Sequence, residues 1–195
     1  MFVSHMKKRY EIRLAGSGGQ GVILAGIILA EAAGLYDGKF VAQTQSYGPE
    51  ARGGASQSEV VISDSEIDYP KAVRPDALLA LNQKSLDTYI FDLKEGGLLI
   101  VDADLVREVP TTRAVAIPFT EMARTVTGKV LTANIVALGA LAVLTRAVSL
   151  KGLRAAVLAR IPKGTEEINK KALDAGINAA KQFLAANQRK KKAIS

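Results

Sequence analysis

The sequence predicts an α/β fold of three layers, helices over both faces of a mostly parallel sheet, and three observations predict it. An apolar run, Ile12 to Ala15, passes through the glycine-rich turn Gly16-Ser17-Gly18-Gly19-Gln20-Gly21 into a longer apolar run, Val22 to Ala33. Downstream, short buried-looking segments alternate with helix-period segments, the order that lays helices over parallel strands. Of 195 residues, 48% are apolar, enough for one sizeable core. A single domain over 10–187 is expected, with a flexible N-terminal extension over 1–9 and a basic flexible tail over 188–195.

Each element follows in order. Tyr10 to Ala15 reads as a strand entering the sheet centre, and the glycine turn joins it to a helix over Val22 to Gly34. Gly16 and Gly18 permit backbone angles and approaches that a Cβ would block, and Gly21 lets helix and strand sit close, the pattern of a Rossmann-like unit. The helix is apolar on nearly every side, so it needs cover from the sheet and from a further surface, and Gly34 suits its stop. Phe40 to Gln43 is expected as a second strand, parallel and beside the first. Ser56 to Ile62 alternates, which suits a strand with one wetter face, and Asp64 to Pro70 reads as a turn or hairpin at a sheet edge.

Asp76 to Leu81 and Leu98 to Val101 are buried strands around an amphipathic helix, Gln83 to Lys94, stopped by Gly96-Gly97. Arg113 to Ile117 is another strand, capped by Pro118. A short helix over Glu121 to Thr127 breaks at Gly128-Lys129, an apolar helix runs from about Thr132 to Val148 near the glycine turn, and Leu150 to Arg160 forms the next. In the last helix Thr165 is the expected N-cap, Glu166 and Glu167 suit the first-turn dipole, and Ile168, Ala172, Ala175, Ala179 and Phe183 make the docking stripe.

Composition excludes several chemistries. There is no cysteine, hence no disulfide, thiolate nucleophile or cysteine-ligated cluster in these 195 residues. The one histidine, His5, lies in the N-terminal extension and leaves histidine acid/base catalysis almost no material. Met6 follows at once, so Met1 to His5 reads equally as native chain or as a tag remnant or overlong start. No secretory signal pattern is present, so a cytoplasmic location is expected. Val130 to Thr145, 16 uncharged residues, is shorter than the ~20 that a bilayer requires. The net charge of +7 divides into +8 over 151–195 and −1 over 1–150. A run such as Arg189 to Lys192 reads as a solvated tail rather than a nucleic-acid arm.

Two further stretches join the glycine turn as candidate site material. In Ser46-Tyr47-Gly48-Pro49-Glu50-Ala51-Arg52-Gly53-Gly54 a tyrosine, an acid and an arginine share a glycine-rich loop, where open α/β sheets bind ligands. Asn134 is a polar residue inside an apolar helix. After the second strand, where a dinucleotide site would present an acid to ribose, the chain reads Ala42-Gln43-Thr44-Gln45, which argues against NAD.

The three stretches GSGGQG (16–21), YGPEARGG (47–54) and NIVALGAL (134–141), in this order and spacing, resemble the γ subunit of 2-oxoacid:ferredoxin oxidoreductases, called domain III in single-chain members. Weaker agreement is seen in Leu79-Ala80-Leu81-Asn82, over Gly97 to Asp104, and in Asn169, Ala172 and Gly176; the likeness spans roughly 10–180. It implies an enzyme that oxidatively decarboxylates a 2-oxoacid on thiamine diphosphate, passes electrons through iron–sulfur clusters to ferredoxin and releases an acyl-CoA. It implies α and β subunits and a ferredoxin-like δ subunit as partners that carry those cofactors, no cofactor bound by this chain alone, and coenzyme A as a shared substrate. An isolated chain would be inactive and could form a homodimer to cover apolar surface. The lead-in Gln43-Thr44-Gln45-Ser46 is most similar to 2-oxoglutarate members; pyruvate, ketoisovalerate and indolepyruvate members are the alternatives.

On that basis Gly16, Ser17, Gly18, Gly19, Gln20, Gly21, Tyr47, Glu50, Arg52, Gly53 and Asn134 are the expected contacts to coenzyme A or to the active-site wall. Arg52 can fork onto a phosphate or carboxylate, Glu50 can orient it, and Tyr47 can pack on a flat ring or close the pocket wall. The turn offers amides to phosphate. Asn134, if buried, needs partners, and a structural tie to the turn is favoured over ligand contact. The rival readings are a stand-alone nucleotide-binding protein and, on the basic tail, a nucleic-acid module.

Overall fold

The computed structural model describes residues 9–47 and 55–194, with side chains as far as 189. Its elements run β1 (Arg9–Ser17), α1 (Val22–Glu31), β2 (Phe40–Ser46), β3 (Ala55–Ser63), β4 (Ala77–Ala80), α2 (Gln83–Tyr89), β5 (Leu98–Asp102), β6 (Val115–Ile117), α3 (Phe119–Thr127), α4 (Ala133–Thr145), α5 (Leu150–Arg160) and α6 (Glu166–Ile194). The strands form one mixed sheet in the order β2-β3-β1-β4-β5-β6. β1, β4, β5 and β6 are parallel neighbours, while β3 runs antiparallel to both β1 and β2.

That order corrects the expected place of the second strand. β2 runs in the same sense as β1 but at the edge, with β3 between them; Phe40 pairs with Ser63, and Ser46 with Gln57. The reason is connection length: eight residues, 47–54, join β2 to β3, enough for a hairpin but too few for a crossover to a parallel neighbour. β3 also lacks the expected wet face, since Ser56, Ser58, Glu59 and Ser63 are all buried. On one side α1 comes so close that a Cβ on Gly26 would stand 2.0 Å from Ser58 Oγ.

On the other side of β3 the cover is irregular chain. No hairpin forms over 64–70; the segment bends across the sheet and is tied down by β1 and β3. Arg9 donates to the Tyr69 and Lys71 carbonyls, Arg13 to the Ala72 carbonyl at 2.8 Å, and the Arg74 and Ala72 amides donate to Glu11 and Glu59. Arg13 and Glu59, both nearly buried, pair at 2.8 Å, and Arg13 also bonds Asp92 and lies over the Tyr89 ring. A buried pair with each charge multiply hydrogen-bonded is tolerated, whereas removing one partner would strand the other.

The two faces differ in thickness. Ile12, Leu14 and Leu79 point into the larger core with α1, α3, α4, α5 and α6; Ala15, Leu78 and Ala80 point into a smaller one with Leu86 of α2. α2 is shorter than expected because the chain tightens into a 3₁₀ turn at Ile90–Asp92. α1 does not stop at Gly34 but continues as a π-helix, Ala32–Tyr36, where Gly34 allows Val41 to approach; the turn comes at Gly38, φ 67°.

α4 and α6 pack backbone against backbone. A Cβ on Gly139 would meet the Leu173 carbonyl at 2.5 Å, and one on Gly176 the Val136 carbonyl at 1.8 Å. This contact fixes the buried line of α6 as Asn169, Ala172, Leu173, Gly176, Ile177 and Ala180, about one position from the expected stripe; Ala179 and Phe183 pack at its flank. The helix also continues through Arg189 to Lys192, residues expected in the tail. Thr165 precedes α6, but its hydroxyl donates back to the Pro162 carbonyl and accepts from Asn169 instead of capping a helical amide.

Candidate functional site

The carboxyl ends of β1, β2, β4, β5 and β6 and the amino end of β3 share one edge of the sheet. α1 leaves β1 for one face and α2 leaves β4 for the other, so the crevice between these two adjacent strands is the topological switch point, the usual ligand position in open α/β sheets. The glycine turn lies at this crevice. Ser17 pairs with Ala55, so the roots of the 47–54 loop stand beside it. Gly48 to Gly54, including Glu50, Arg52 and Gly53, lie outside the described residues; Tyr47 is described and is 67% exposed.

The turn is held from within by Gln20. Its Oε1 accepts from the Ser17 amide at 2.7 Å, the Ser17 hydroxyl at 3.0 Å and Asn82 Nδ2 at 2.7 Å, while its Nε2 donates to the Leu81 carbonyl at 3.1 Å. Gly16 is buried under that carboxamide, and a Cβ there would stand 2.8 Å from Gln20 Oε1 and from Val22 Cγ1. Gly21 has φ 72° and faces Asn134, which a Cβ would meet at 2.4 Å. Asn134 is buried at the start of α4 and donates to the Gly21 carbonyl at 3.1 Å, the tie that its burial requires.

The glycines thus divide differently from the sequence expectation. Gly16 makes room both for Gln20 and for Val22 at the start of α1, and Gly21 makes room for Asn134 of α4 rather than for the strand. Gly18 and Gly19 are exposed, and a Cβ on either would meet nothing within 4 Å; Gly19 is left-handed, φ 90°. Asn82 was missed as a site residue, although an Asn between a buried strand and a helix is a capping signal. It caps α2 through its Oδ1, which accepts from the Ser85 amide at 2.8 Å, and braces Gln20 through its Nδ2.

Farther along the same edge Asp102 is buried at the end of β5. It accepts from the Thr120 hydroxyl at 2.6 Å, the Thr120 amide at 3.2 Å and the Asp104 amide at 3.1 Å, and Asp104 accepts from the Glu121 amide at 2.7 Å. Together the two acids cap α3, which begins after a proline. Burial pushes the Asp102 carboxyl above its ordinary value, against the lowering effect of the Thr120 bond. At the opposite edge, burial and then Asp76 push the Tyr10 phenol up to about 12. Among the described residues no helix is long and apolar enough to cross a membrane.

Residues 11–179 match the family model described as pyruvate ferredoxin/flavodoxin oxidoreductase. The chain belongs to that family. The 2-oxoglutarate synthase subunit KorC of Methanocaldococcus jannaschii is 54% identical over 183 residues, spanning 91% of this chain and 97% of that protein. Among solved structures, the γ subunit of a keto/oxoacid ferredoxin oxidoreductase from Geobacter sulfurreducens superposes with a TM-score of 0.82 at 50% identity, covering 89% of this chain and 97% of that one. A 2-oxoglutarate:ferredoxin oxidoreductase from Magnetococcus marinus, solved with 2-oxoglutarate, coenzyme A and succinyl-CoA bound, matches with a TM-score of 0.79 at 25% identity. That match covers 91% of this chain but only 32% of the larger one, so within this family the fold described above also occurs as part of a longer polypeptide.

Proposed function

We propose that this chain is the γ subunit of a 2-oxoglutarate:ferredoxin oxidoreductase, a non-cluster component of an enzyme that oxidatively decarboxylates its 2-oxoacid to an acyl-CoA and reduces ferredoxin. The observation that carries the reading is the near end-to-end likeness to a 2-oxoglutarate synthase subunit, which includes the switch-point edge. α and β subunits and a ferredoxin-like δ subunit are its partners. With no cysteine in 195 residues, cluster ligation falls to those chains, as does thiamine diphosphate.

Within the complex this chain supplies one wall of a composite site. Gly18 and Gly19 give that wall an open backbone surface next to Ser17, Tyr47 gives it a flat aromatic one, and Glu50, Arg52 and Gly53, which follow Tyr47 in the sequence, are the further groups for coenzyme A. Arg52 takes a phosphate or carboxylate oxygen pair, and Glu50 orients it. Gln20, Gly16, Gly21 and Asn134 hold this wall in shape. Half-buried Ile27 and exposed Leu35, Tyr36 and Phe40 on the outer side of α1 and β2 support a life in contact with other chains.

Co-purification from the native cell tests the assignment. A tagged chain is expected to bring down larger subunits containing thiamine diphosphate and iron–sulfur clusters, and the complex to reduce ferredoxin fastest with 2-oxoglutarate. Faster turnover of pyruvate or ketoisovalerate would move the substrate assignment. Recovery of the chain alone, with tight NAD(P) binding, would overturn the subunit reading.

A further inference from the structure

The crevice between β1 and β4 is where a Rossmann-like unit holds the pyrophosphate of its nucleotide, on amides of the first turn and of the following helix. In this chain that space holds a side chain. Three donors from two separate strand ends, the Ser17 amide, the Ser17 hydroxyl and Asn82 Nδ2, converge within 3.0 Å on Gln20 Oε1. One carboxamide oxygen therefore takes the position and the donors that a phosphoryl oxygen would need. The other end of the carboxamide is spent on the Leu81 carbonyl.

Gly16, the first glycine of the motif, makes the tight turn. A Cβ there would stand 2.8 Å both from Gln20 Oε1 and from Val22 Cγ1, so the turn is closed around the carboxamide and the start of α1. The ribose side is altered too. β3 stands between β1 and β2, and Gln43, near where the acid of an NAD site would lie, donates to Ser58 Oγ at 2.8 Å and to the Thr44 carbonyl at 3.2 Å.

We propose that Gln20 is the specificity-determining residue of this turn: its carboxamide is an internal ligand that closes the switch-point crevice to phosphate, leaving the turn to meet other molecules through the open backbone of Gly18 and Gly19. The glycine-rich sequence thereby keeps a nucleotide-binding geometry while its crevice refuses a pyrophosphate. This inference goes beyond the subunit assignment and concerns the crevice alone, so its test and the co-purification can fail separately.

The test is calorimetric titration of the full chain with inorganic pyrophosphate, in three forms. Wild type and Gln20→Glu, which retains an acceptor oxygen and adds negative charge, are expected to show no saturable binding. Gln20→Ala is expected to bind at least ~10-fold more tightly than either, a gain of about 1.4 kcal/mol. Binding by the wild type equal to that of Gln20→Ala would overturn the proposal, as would a folded Gln20→Ala that binds no better than wild type. A measurement independent of any variant is the NMR spectrum of the wild-type chain at high phosphate. The Ser17 amide and the side-chain amides of Gln20 and Asn82 should not shift, and a saturable shift of all three would show an open crevice and overturn the proposal.

Discussion

The glycine turn at the switch point and the α4–α6 contact are both built on glycine, for opposite purposes. At the helix contact, Gly139 and Gly176 bring two backbones together, and the atoms in the way of a side chain are carbonyl oxygens of the neighbouring helix. At the turn, Gly16 is opposed by the side chains of Gln20 and Val22 and Gly21 by that of Asn134, while Gly18 and Gly19 face open space. A rigid obstacle makes a glycine obligatory for the fold; a side-chain obstacle makes it part of an adjustable seat; no obstacle leaves it available for contact outside the chain.

The largest expected effect lies at the rigid contact. Gly176→Ala places a carbon 1.8 Å from the Val136 carbonyl, so the helices must separate. A loss of about 3 kcal/mol is expected, near the upper end for overpacking, with a fall in Tm of roughly 6–12 °C by calorimetry. A change under about 1 kcal/mol would mean that the two helices do not pack this closely.

Gly21→Ala should cost somewhat less, about 2 kcal/mol, because it combines a left-handed backbone, φ 72°, with a collision against a side chain that can move. Asn134→Ala alone should cost about 1 kcal/mol for the lost bond to the Gly21 carbonyl. In the double variant the collision is gone, so denaturant unfolding should show a combined loss smaller than the sum. Strict additivity would break the pairing of these two residues.

Asp102 gives a smaller effect with a definite sign. Its folded-state carboxyl titrates above the unfolded value of 3.8, so the folded chain binds the proton first as pH falls. Its own contribution to stability therefore rises as pH is lowered through that window, opposite to a carboxylate whose folded value is depressed. Asp102→Asn should remove this component, and comparing the two pH–stability curves from neutral pH down to 3.8 tests it. Identical slopes would contradict the burial argument.

Much of this was legible in the chain. The strand-turn-helix start, the later α/β alternation and α5 follow from pattern, because apolar period and glycine punctuation are local signals. The position of β3 was not, since Ser56 to Ile62 alternates as a half-wet strand does, and only its pairing on both sides, with Glu59 neutralised by Arg13, buries it. Asn134 was readable because a lone amide in an apolar helix must find a partner. Gln20 was readable only as one more residue of the turn: its partners Leu81 and Asn82 lie about sixty residues away, brought alongside by the β1–β4 pairing. The α6 stripe missed by one position for a related reason, as glycine carries no hydrophobic signal even where it marks the closest contact.

The central claim is that the inward glycines build the turn while the outward ones present it to partner subunits. Its most direct test is Gly18→Leu, compared with wild type first alone and then on reconstitution with the larger subunits. A Cβ on Gly18 meets nothing within 4 Å, so the isolated variant should melt within about 0.5 kcal/mol of wild type. The reconstituted variant should fail to assemble, or should lose ferredoxin reduction supported by 2-oxoglutarate and coenzyme A. Full assembly and full activity with leucine at that position would contradict the account.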